Sequence, residues 1–310
     1  MKLEGIHHIT AITADAPRNV EFYVGVLGLR MVKKSVNQDD PTVYHLFYGD
    51  EEGSPGADLT FFEYPSAARG RAGAGMVHRV VWRVGSPETI EFWRERLRAH
   101  GVHVQDTGAG LLFSDPEGLQ HELSVSDSND PSLRARSPHI PNEHALLGFD
   151  GVRAYSADPE ASGALLRDTL GFSGGHDGRW EVRGDTRASF YVYDAPPSQG
   201  RGVQGAGSVH HVAFACQPQD ENAWQQRMTE AGARPTPVIE RFYFRSVYFR
   251  EPSGVLFEIA TIGPGFAVDE DAQHLGERLS LPPRFEPLRE RLESTLTPLP
   301  NPRAAATAST

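Results

Sequence analysis

The chain repeats one structural plan four times, and a long-period repeat strongly restricts the class of fold. Each repeat opens with a short strand-like segment: GIHHITAIT from Gly5, MVHRVVWRV from Met76, GFDGVRAYS from Gly148 and SVHHVAFAC from Ser208. These starts lie about 60 to 70 residues apart. A helix signal follows each opening strand, entered through an acidic, Ser or Pro cap and ended by glycine, and two or three further strand candidates come after the helix.

The repeats predict an α+β fold of four βαβββ modules, at residues 5–65, 76–126, 148–195 and 208–262. We place the first domain at residues 1–130, a linker at 131–147, where the chain is polar and proline-rich, and the second domain at 148–262. Residues 263–310 form a C-terminal extension outside the repeats. Within this extension, one helical face is predicted to carry the apolar residues Phe285, Leu288, Leu292 and Leu296.

Composition excludes several classes of protein. The 310 residues carry a net charge of -11 without any compensating Lys/Arg block, which argues against a nucleic-acid partner. No apolar stretch approaches the roughly 18 residues of a membrane span, so we expect no membrane partner. The single cysteine, Cys216, cannot form an internal disulfide, and a reducing cytoplasm is the expected compartment. A homo-oligomer is compatible with the sequence.

Histidines concentrate in the opening strands. Two of these strands carry doublets, His7-His8 and His210-His211, at equivalent places in the first and fourth modules. Because side chains alternate along a strand, we expect one imidazole of each doublet to face the inside of a curved sheet and the other to point away or into a second layer. Glu258 lies in the apolar strand GVLFEIA, where a carboxylate is costly unless it is paired or binds a metal. Together these residues supply the ligand types of a two-histidine, one-carboxylate metal site.

Each of these residues also has a structural explanation. An isolated strand histidine is usually a hydrogen-bonded core or surface residue, and an isolated strand glutamate often faces solvent; the combination favours a metal site. Other catalytic motifs are missing: GSPGAD is not a phosphate loop, because no GKS or GKT follows it, and no G-x-S-x-G motif is present. We assign the helix aromatics to packing: Phe22, Phe92, Trp93 and Trp224.

The modules and ligand types resemble the vicinal oxygen chelate superfamily, which includes glyoxalase I, extradiol dioxygenases and fosfomycin-resistance proteins. Five segments, GIHHITAIT, LTFFEYP, SVHHVAFA, RFYFRSVYFREPSGVLFEIAT and GPGFAVDED, more closely resemble the glyoxalase-like ring-cleaving dioxygenases that open para-hydroquinones. The similarity runs over residues 4–282. It implies two half-barrel domains of curved mixed β-sheet with flanking helices, and Fe(II) held by His8, His211 and Glu258, with Mn(II) as an alternative metal.

The same resemblance implies which residues surround the metal: His7, His210, Thr10, Arg241 and Tyr248. Thr10 lies two residues from His8, so both side chains are expected on one strand face. We expect Arg241 to hold Tyr248 or to lower its pKa, since a nearby cation favours the phenolate. The implied substrates are a small aromatic compound and O₂, and the implied reaction is ring cleavage with proton handling by Tyr248, His7 and His210.

Two questions stay open at the level of sequence. A shared site at His8, His211 and Glu258 requires modules one and four to pair, whereas pairing of modules one and two would gather a glyoxalase-I-like set: His8, Glu63, His78 and Glu122. Glu63 is also a candidate extra ligand, and a second site is not expected because module three lacks equivalent donors. The alternative functions are a glyoxalase-type metal-dependent lyase or isomerase and a non-catalytic protein that binds small aromatics.

Overall fold

A computed structural model of the chain describes residues 1–108, 110–197 and 200–302. It has sixteen strands in these ranges: β1 Ile6–Thr13, β2 Arg30–Val36, β3 Tyr44–Gly49, β4 Asp58–Glu63, β5 Met76–Val84, β6 Val104–Asp106, β7 Gly110–Ser114, β8 Gln120–Val125, β9 Phe149–Tyr155, β10 Ser173–Gly174, β11 Arg179–Arg183, β12 Ala188–Asp194, β13 Ser208–Cys216, β14 Ile239–Glu240, β15 Arg245–Arg250 and β16 Leu256–Thr261. The α-helices are α1 Ala16–Val20, α2 Pro87–Ala99, α3 Glu221–Glu230 and α4 Arg289–Thr295. Four strands per repeat confirm the predicted α+β fold of βαβββ modules.

The strands form two mixed sheets of eight strands each. The first sheet has the order β14-β15-β16-β13-β1-β4-β3-β2, and the second has the order β10-β11-β12-β9-β5-β8-β7-β6. The first sheet therefore combines modules one and four, joined by antiparallel pairing of β1 with β13. The second combines modules two and three through β5 and β9. Each sheet draws one module from either half of the chain, while the proposed boundaries at residues 130 and 148 stay a prediction.

The segments predicted as helices are regular in only two modules. In modules two and four they are α2 and α3, whereas in module one α1 continues as a π-helical turn, Glu21–Val26. In module three a 3-10 turn, Pro159–Ser162, precedes a π-helical turn, Leu165–Thr169. Both π turns are closed by bonds spanning five residues, such as Leu27 N–H to the Phe22 carbonyl at 2.9 Å. The glycines predicted where these helices end, but they did not indicate that the helices contain π-helical turns.

The helix aromatics pack as predicted. Phe22, Trp93 and Trp224 are buried in the main hydrophobic core, and Phe92 is half-buried against it. Side chains on the helix-facing sides of both sheets complete this core, including Trp82 of β5 and Phe61 of β4. The opposite, concave face of the first sheet is therefore available for a site.

Buried carboxylates tie the two sheets together at the similar turns SDPEG and REPSG. The Tyr23 hydroxyl of module one donates to Asp115 Oδ2 of module two at 3.0 Å. The Tyr193 hydroxyl of module three donates to Glu251 Oε2 of module four at 2.8 Å. Each bond joins modules that belong to different sheets, so the repeat supplies the same connection twice.

The C-terminal extension covers part of the concave face of the first sheet. Phe266 packs against Phe47 of β3, with ring centroids 5.0 Å apart. Lys33 of β2 donates hydrogen bonds to the Phe266 carbonyl and to Asp269. Farther along, Leu292 and Leu296 are buried and Phe285 is half-buried. The prediction for Leu288 was wrong: it is 37% exposed, because α4 begins only at Arg289 and the preceding residues form a 3-10 turn. No helix in the described ranges is long and apolar enough to cross a bilayer.

Candidate metal centre

Three adjacent central strands of the first sheet bring His8, His211 and Glu258 together. His8 lies on β1, His211 on β13 and Glu258 on β16. Glu258 Oε2 is 3.2 Å from His8 Nε2 and 2.9 Å from His211 Nε2, and the two histidine nitrogens are 3.3 Å apart. All three side chains are buried. One donor atom from each residue thus faces a common point.

The pairing register explains why these side chains meet across three strands. Ala213 of β13 pairs with His8 on one side and with Glu258 on the other. Its methyl group leaves room for both longer side chains to lean towards each other over the middle strand. His211 precedes Ala213 by two residues and so projects from the same face. A small residue between the two ligand strands is therefore part of the site.

Each histidine doublet coincides with a β-bulge, and the two rings of a doublet therefore do not alternate between the faces of the strand as expected. The β1–β13 register shifts between Ile6 and His8 and again between Thr10 and Ala11, so that His7 on β1 and His210 on β13 have no opposite residue. A bulge lets two successive side chains lie on one side of the strand. His7 Nδ1 accordingly lies 2.9 Å from His8 Nδ1, and His210 Nδ1 lies 2.7 Å from the Nδ1 atom of the histidine that follows. The first ring of each doublet contacts the donor ring instead of pointing away.

The first rings of the doublets are neutral near pH 7. Burial, followed by the adjacent histidine, lowers the pKa of His7 to about 3. Burial and the adjacent His211 likewise lower the pKa of His210 to about 3. Neutral imidazoles keep one nitrogen free to accept a proton or a hydrogen bond.

The surroundings of Glu258 fit a metal ligand. Its side chain is fully buried, and Oε1 accepts a hydrogen bond from the Ser246 hydroxyl at 2.5 Å. Oε2 has no hydrogen bond of ordinary geometry with any described residue, although the two imidazole nitrogens lie beside it. Burial opposes ionisation, yet His8 and His211 hold the pKa of Glu258 well below its usual range. A buried carboxylate with one oxygen oriented by a hydroxyl and the other directed at two imidazoles suits a divalent metal ion.

Aromatic side chains enclose the space beside the donor atoms. A cavity lined by His8 and His211 has walls formed by Phe47, Phe62 and Phe244. The Phe244 ring lies 5.0 Å from the His8 ring, centroid to centroid. A larger cleft lies between the π-helical turn of module one and the β6–β7 edge, but none of the three donors lines it. The donor cavity is therefore suited to a flat apolar ring.

Thr10 lies on the concave face, where its hydroxyl is part of a short hydrogen-bonded chain. Thr60 Oγ1 of β4 donates to Thr10 Oγ1 at 2.8 Å, and His45 Nε2 of β3 lies 2.9 Å from Thr60 Oγ1. Because the Thr60 hydroxyl uses its proton towards Thr10, His45 must present a protonated Nε2 to it. Thr10 is left with its own hydroxyl proton available to a neighbouring group.

Arg241 and Tyr248 line the same cavity, and Arg241 holds Tyr248 as expected. Arg241 Nε donates to the Tyr248 hydroxyl at 3.3 Å, and the tyrosine ring lies 5.7 Å from the His211 ring. Arg241 also lowers the pKa of Tyr248, as expected, but other groups decide its net direction. Burial and the Glu258 carboxylate raise the pKa of Tyr248, and the opposing effect of Arg241 is smaller. Tyr248 is therefore a neutral phenol.

The rival glyoxalase-I-like set is not assembled. Glu63 ends β4, where it accepts hydrogen bonds from the Ala16 amide at 3.1 Å and from Thr297 at 3.0 Å. His78 and Glu122 belong to the second sheet, because module one pairs with module four. In that sheet His78 Nε2 lies 2.8 Å from Asp194. Glu63 lies in the first sheet, but its carboxylate is engaged at the end of its strand and does not join the group of close donors.

The second sheet has an ion pair where the first has metal donors. Glu122 follows the SDPEG turn as Glu258 follows REPSG, and Arg79 takes the place in MVHRVVW that His211 takes in SVHHVAF. Arg79 Nη1 donates to Glu122 Oε2 at 2.7 Å. A guanidinium thus provides the positive charge beside this carboxylate. His8, His211 and Glu258 form the only group of three close donors found in the described ranges.

Several residues of the site were missed by sequence reasoning. Ser246 orients Glu258, His45 supports Thr60, and Asp39 bonds to Arg241. Ser246 lies two residues before Tyr248, so alternation along that strand could have placed it on the same face. Asp39 is separated from Arg241 by 202 residues, and no local pattern connects them.

The family model for the glyoxalase/bleomycin resistance protein/dioxygenase superfamily matches residues 5–123 and 148–259. The chain belongs to this superfamily. Within the superfamily it is similar over its full length to proteins of the ring-cleaving dioxygenase class. It is 39% identical to MhqA of Bacillus subtilis (strain 168), which is assigned as a ring-cleaving dioxygenase, over 96% of this chain and 100% of MhqA.

A second relative in the superfamily is chlorohydroquinone/hydroquinone 1,2-dioxygenase of Sphingobium indicum (strain UT26S). It is 32% identical over 95% of this chain and 96% of its own length. One solved structure that matches is from Bacillus subtilis subsp. subtilis str. 168, and its protein is named as a dioxygenase. The match has a TM-score of 0.88 and 38% identity, and it covers 96% of this chain and 98% of that one. Glyoxalase I from Zea mays shares the fold, with a TM-score of 0.56 and 15% identity over 83% of this chain and 92% of that one.

Proposed function

We propose that the protein is a non-haem Fe(II)-dependent ring-cleaving dioxygenase that acts on hydroquinone-type aromatics with O₂. The observation that carries this proposal is the convergence of His8, His211 and Glu258 beside a cavity walled by aromatic rings. Three protein donors on one face of a metal ion leave coordination positions open for other ligands. Mn(II) is the alternative metal.

Iron is favoured over zinc by the chemistry of dioxygen. O₂ has a triplet ground state, whereas closed-shell aromatics are singlets, and their direct reaction is slow. Held by His8, His211 and Glu258, Fe(II) would supply the redox chemistry that lets O₂ react with the ring. Zn(II) has no accessible redox change, so a zinc enzyme at this site would be a lyase or isomerase of the glyoxalase type.

The residues around the donors have distinct proposed tasks. The rings of Phe47, Phe62 and Phe244 would hold the substrate ring and exclude water. Tyr248, a neutral phenol held by Arg241, can donate a proton to an oxygen that gains charge during ring opening. The second-layer rings of His7 and His210 would orient the two histidine ligands through their Nδ1 contacts and are the alternative proton acceptors.

The relatives support the substrate class. The Sphingobium protein carries chlorohydroquinone and hydroquinone in its name, and it matches this chain over nearly the whole of both sequences. The cavity is consistent with such a ring, because its walls are aromatic and Thr10, with a free hydroxyl proton, projects from the same strand face as His8.

The test is oxygen uptake by metal-free protein reconstituted separately with Fe(II), Mn(II) and Zn(II). We expect Fe(II)-loaded protein to consume O₂ with hydroquinone faster than with catechol, and Zn(II)-loaded protein to consume none. Turnover with Zn(II) and no oxygen uptake would assign the protein to the glyoxalase type. Binding of a phenol without uptake under any metal would assign it to the non-catalytic class.

A further inference from the structure

The cavity contains a cation whose charge is compensated within the protein. Arg241 lines the cavity with His8 and His211, and its side chain is only 15% exposed. Its Nη1 and Nη2 atoms donate to the two carboxylate oxygens of Asp39, at 2.9 and 3.0 Å. Asp39 lies in the loop between β2 and β3 and also lines the cavity. A bidentate pair of this kind orients the guanidinium and engages both of its Nη atoms.

Two other residues of this loop line the cavity, Asn37 and Gln38, and both have uncharged side chains. Arg284 of the C-terminal extension donates to the Gln38 carbonyl and side-chain oxygen, at 3.1 and 3.0 Å. Asp39 and Arg241 thus contribute one paired charge of each sign to the lining of the cavity.

We propose that the Asp39–Arg241 pair is a specificity device that makes the cavity select uncharged hydroquinones and reject rings bearing a carboxylate. This inference rests on the proposed function, whose substrate class it narrows. A ring carboxylate entering the cavity would meet the Asp39 carboxylate, and the guanidinium charge that could attract it is already paired with Asp39 through Nη1 and Nη2. An uncharged ring meets neither obstacle.

The loop is held in place without the ion pair, so removal of Asp39 should change charge more than shape. Asn37 Nδ2 donates to the Tyr64 hydroxyl at 3.1 Å, and Gln38 Nε2 donates to the Arg241 backbone carbonyl at 2.5 Å. The Asp39 side chain is 71% exposed, which makes its substitution compatible with folding. Arg241 also retains its bond to Tyr248.

The experiment compares hydroquinone with 2,5-dihydroxybenzoate, which is the same ring with one carboxylate added. The ratio of kcat/KM for these two compounds is measured for the parent, for Asp39→Asn and for the matched control Asp40→Asn. Asp40 is the neighbouring acid, and its carboxylate bonds to Thr42 instead of to Arg241. Both variants remove one negative charge from the same loop.

We expect Asp39→Asn to shift the ratio towards 2,5-dihydroxybenzoate by about tenfold or more, since a guanidinium freed for a carboxylate forms one of the stronger polar contacts. Asp40→Asn should leave the ratio unchanged. If Asp39→Asn slows both substrates equally, the acid only tethers the loop and the inference is wrong. An equal shift in Asp40→Asn would also overturn it, because general surface charge would then explain the effect.

A binding measurement separates this inference from the proposed reaction. Calorimetric titration of phenol and of 4-hydroxybenzoate into the Zn(II)-loaded protein compares the same charge difference without turnover. A shift of their affinity ratio in Asp39→Asn alone supports the specificity device even if no hydroquinone is cleaved. An unchanged affinity ratio overturns the inference even if ring cleavage is confirmed.

Discussion

Replacement of Lys33 by methionine should destabilise the protein more than any single exposed substitution. Lys33 lies on β2 with its side chain fully buried. Its ammonium group donates to the Phe266 carbonyl at 2.9 Å, to Asp269 at 2.7 Å and to Glu270 at 2.5 Å. Methionine keeps the length and apolar stem of the side chain but leaves two carboxylates without their buried cation.

Loss of one partner from a buried ion pair costs about 3–5 kcal/mol. At roughly 1.5 °C per kcal/mol for a chain of 310 residues, we expect Lys33→Met to lower Tm by about 5–8 °C. The control is Lys34→Met, because Lys34 is also buried but, among residues 1–108, 110–197 and 200–302, donates a single side-chain hydrogen bond, to the Leu299 carbonyl at 3.2 Å. Loss of that bond should cost about 1 kcal/mol.

Calorimetry and urea unfolding of both lysine variants measure this difference. Lys33 also contacts the ring of Tyr243, a cavity residue, with its nitrogen 4.8 Å from the ring centroid. A rise in KM should therefore accompany the loss of stability in Lys33→Met. Equal costs for the two variants, or a cost below about 1 kcal/mol for Lys33→Met, would refute the view that this lysine clamps the C-terminal extension onto the concave face.

Three further predictions concern the metal, the proton donor and the response to acid. Glu258→Gln should fold but lose its bound metal, as measured by elemental analysis, because the amide supplies no anionic ligand; full metal occupancy would remove Glu258 from the ligand set. Tyr248→Phe should keep iron but lose about 10²-fold in kcat, the usual effect of removing a general acid, and parent-level turnover would make this tyrosine structural. His121, away from the metal site, has its pKa lowered to about 3 by burial, so the unfolded chain binds a proton below about pH 6.5 that the folded chain does not. The free energy of unfolding should consequently fall as pH falls from 6 to 4. In urea titrations, His121→Gln should reduce the slope of this free energy against pH by about 1.4 kcal/mol per pH unit. Parallel curves of unfolding free energy against pH for the parent and the variant would contradict the role of His121.

The features that recur from module to module could be predicted from the sequence. The opening strands at Gly5 and Ser208 carry matching doublets, and the family resemblance favoured a site shared by modules one and four. Apolar periodicity likewise identified the helix aromatics as core residues. Core residues follow from local patterns that recur, and the sheet order confirms the pairing of modules one and four that the resemblance favoured.

The features that depend on local irregularity or on distant contacts could not be predicted in this way. Strict alternation along the strands predicted that His7 and His210 lie on the face opposite the donors. The bulges instead bring their rings to the donor side. The charge on Arg241 favoured a lowered pKa for Tyr248, but burial outweighs it. The position of Lys33 depends on residues more than 230 positions away. Each of these outcomes is decided by packing between modules.

Cleavage of hydroquinone under ¹⁸O₂ by the Fe(II)-loaded protein tests the central claim most directly. Mass spectrometry of the product, acquired before exchange with water, shows whether the ring has opened and where the oxygen atoms come from. The proposed function predicts a ring-opened product with both atoms of one O₂ incorporated, and loss of this product in Glu258→Gln. An intact ring, or a product whose added oxygen comes only from water, would contradict the assignment as a ring-cleaving dioxygenase.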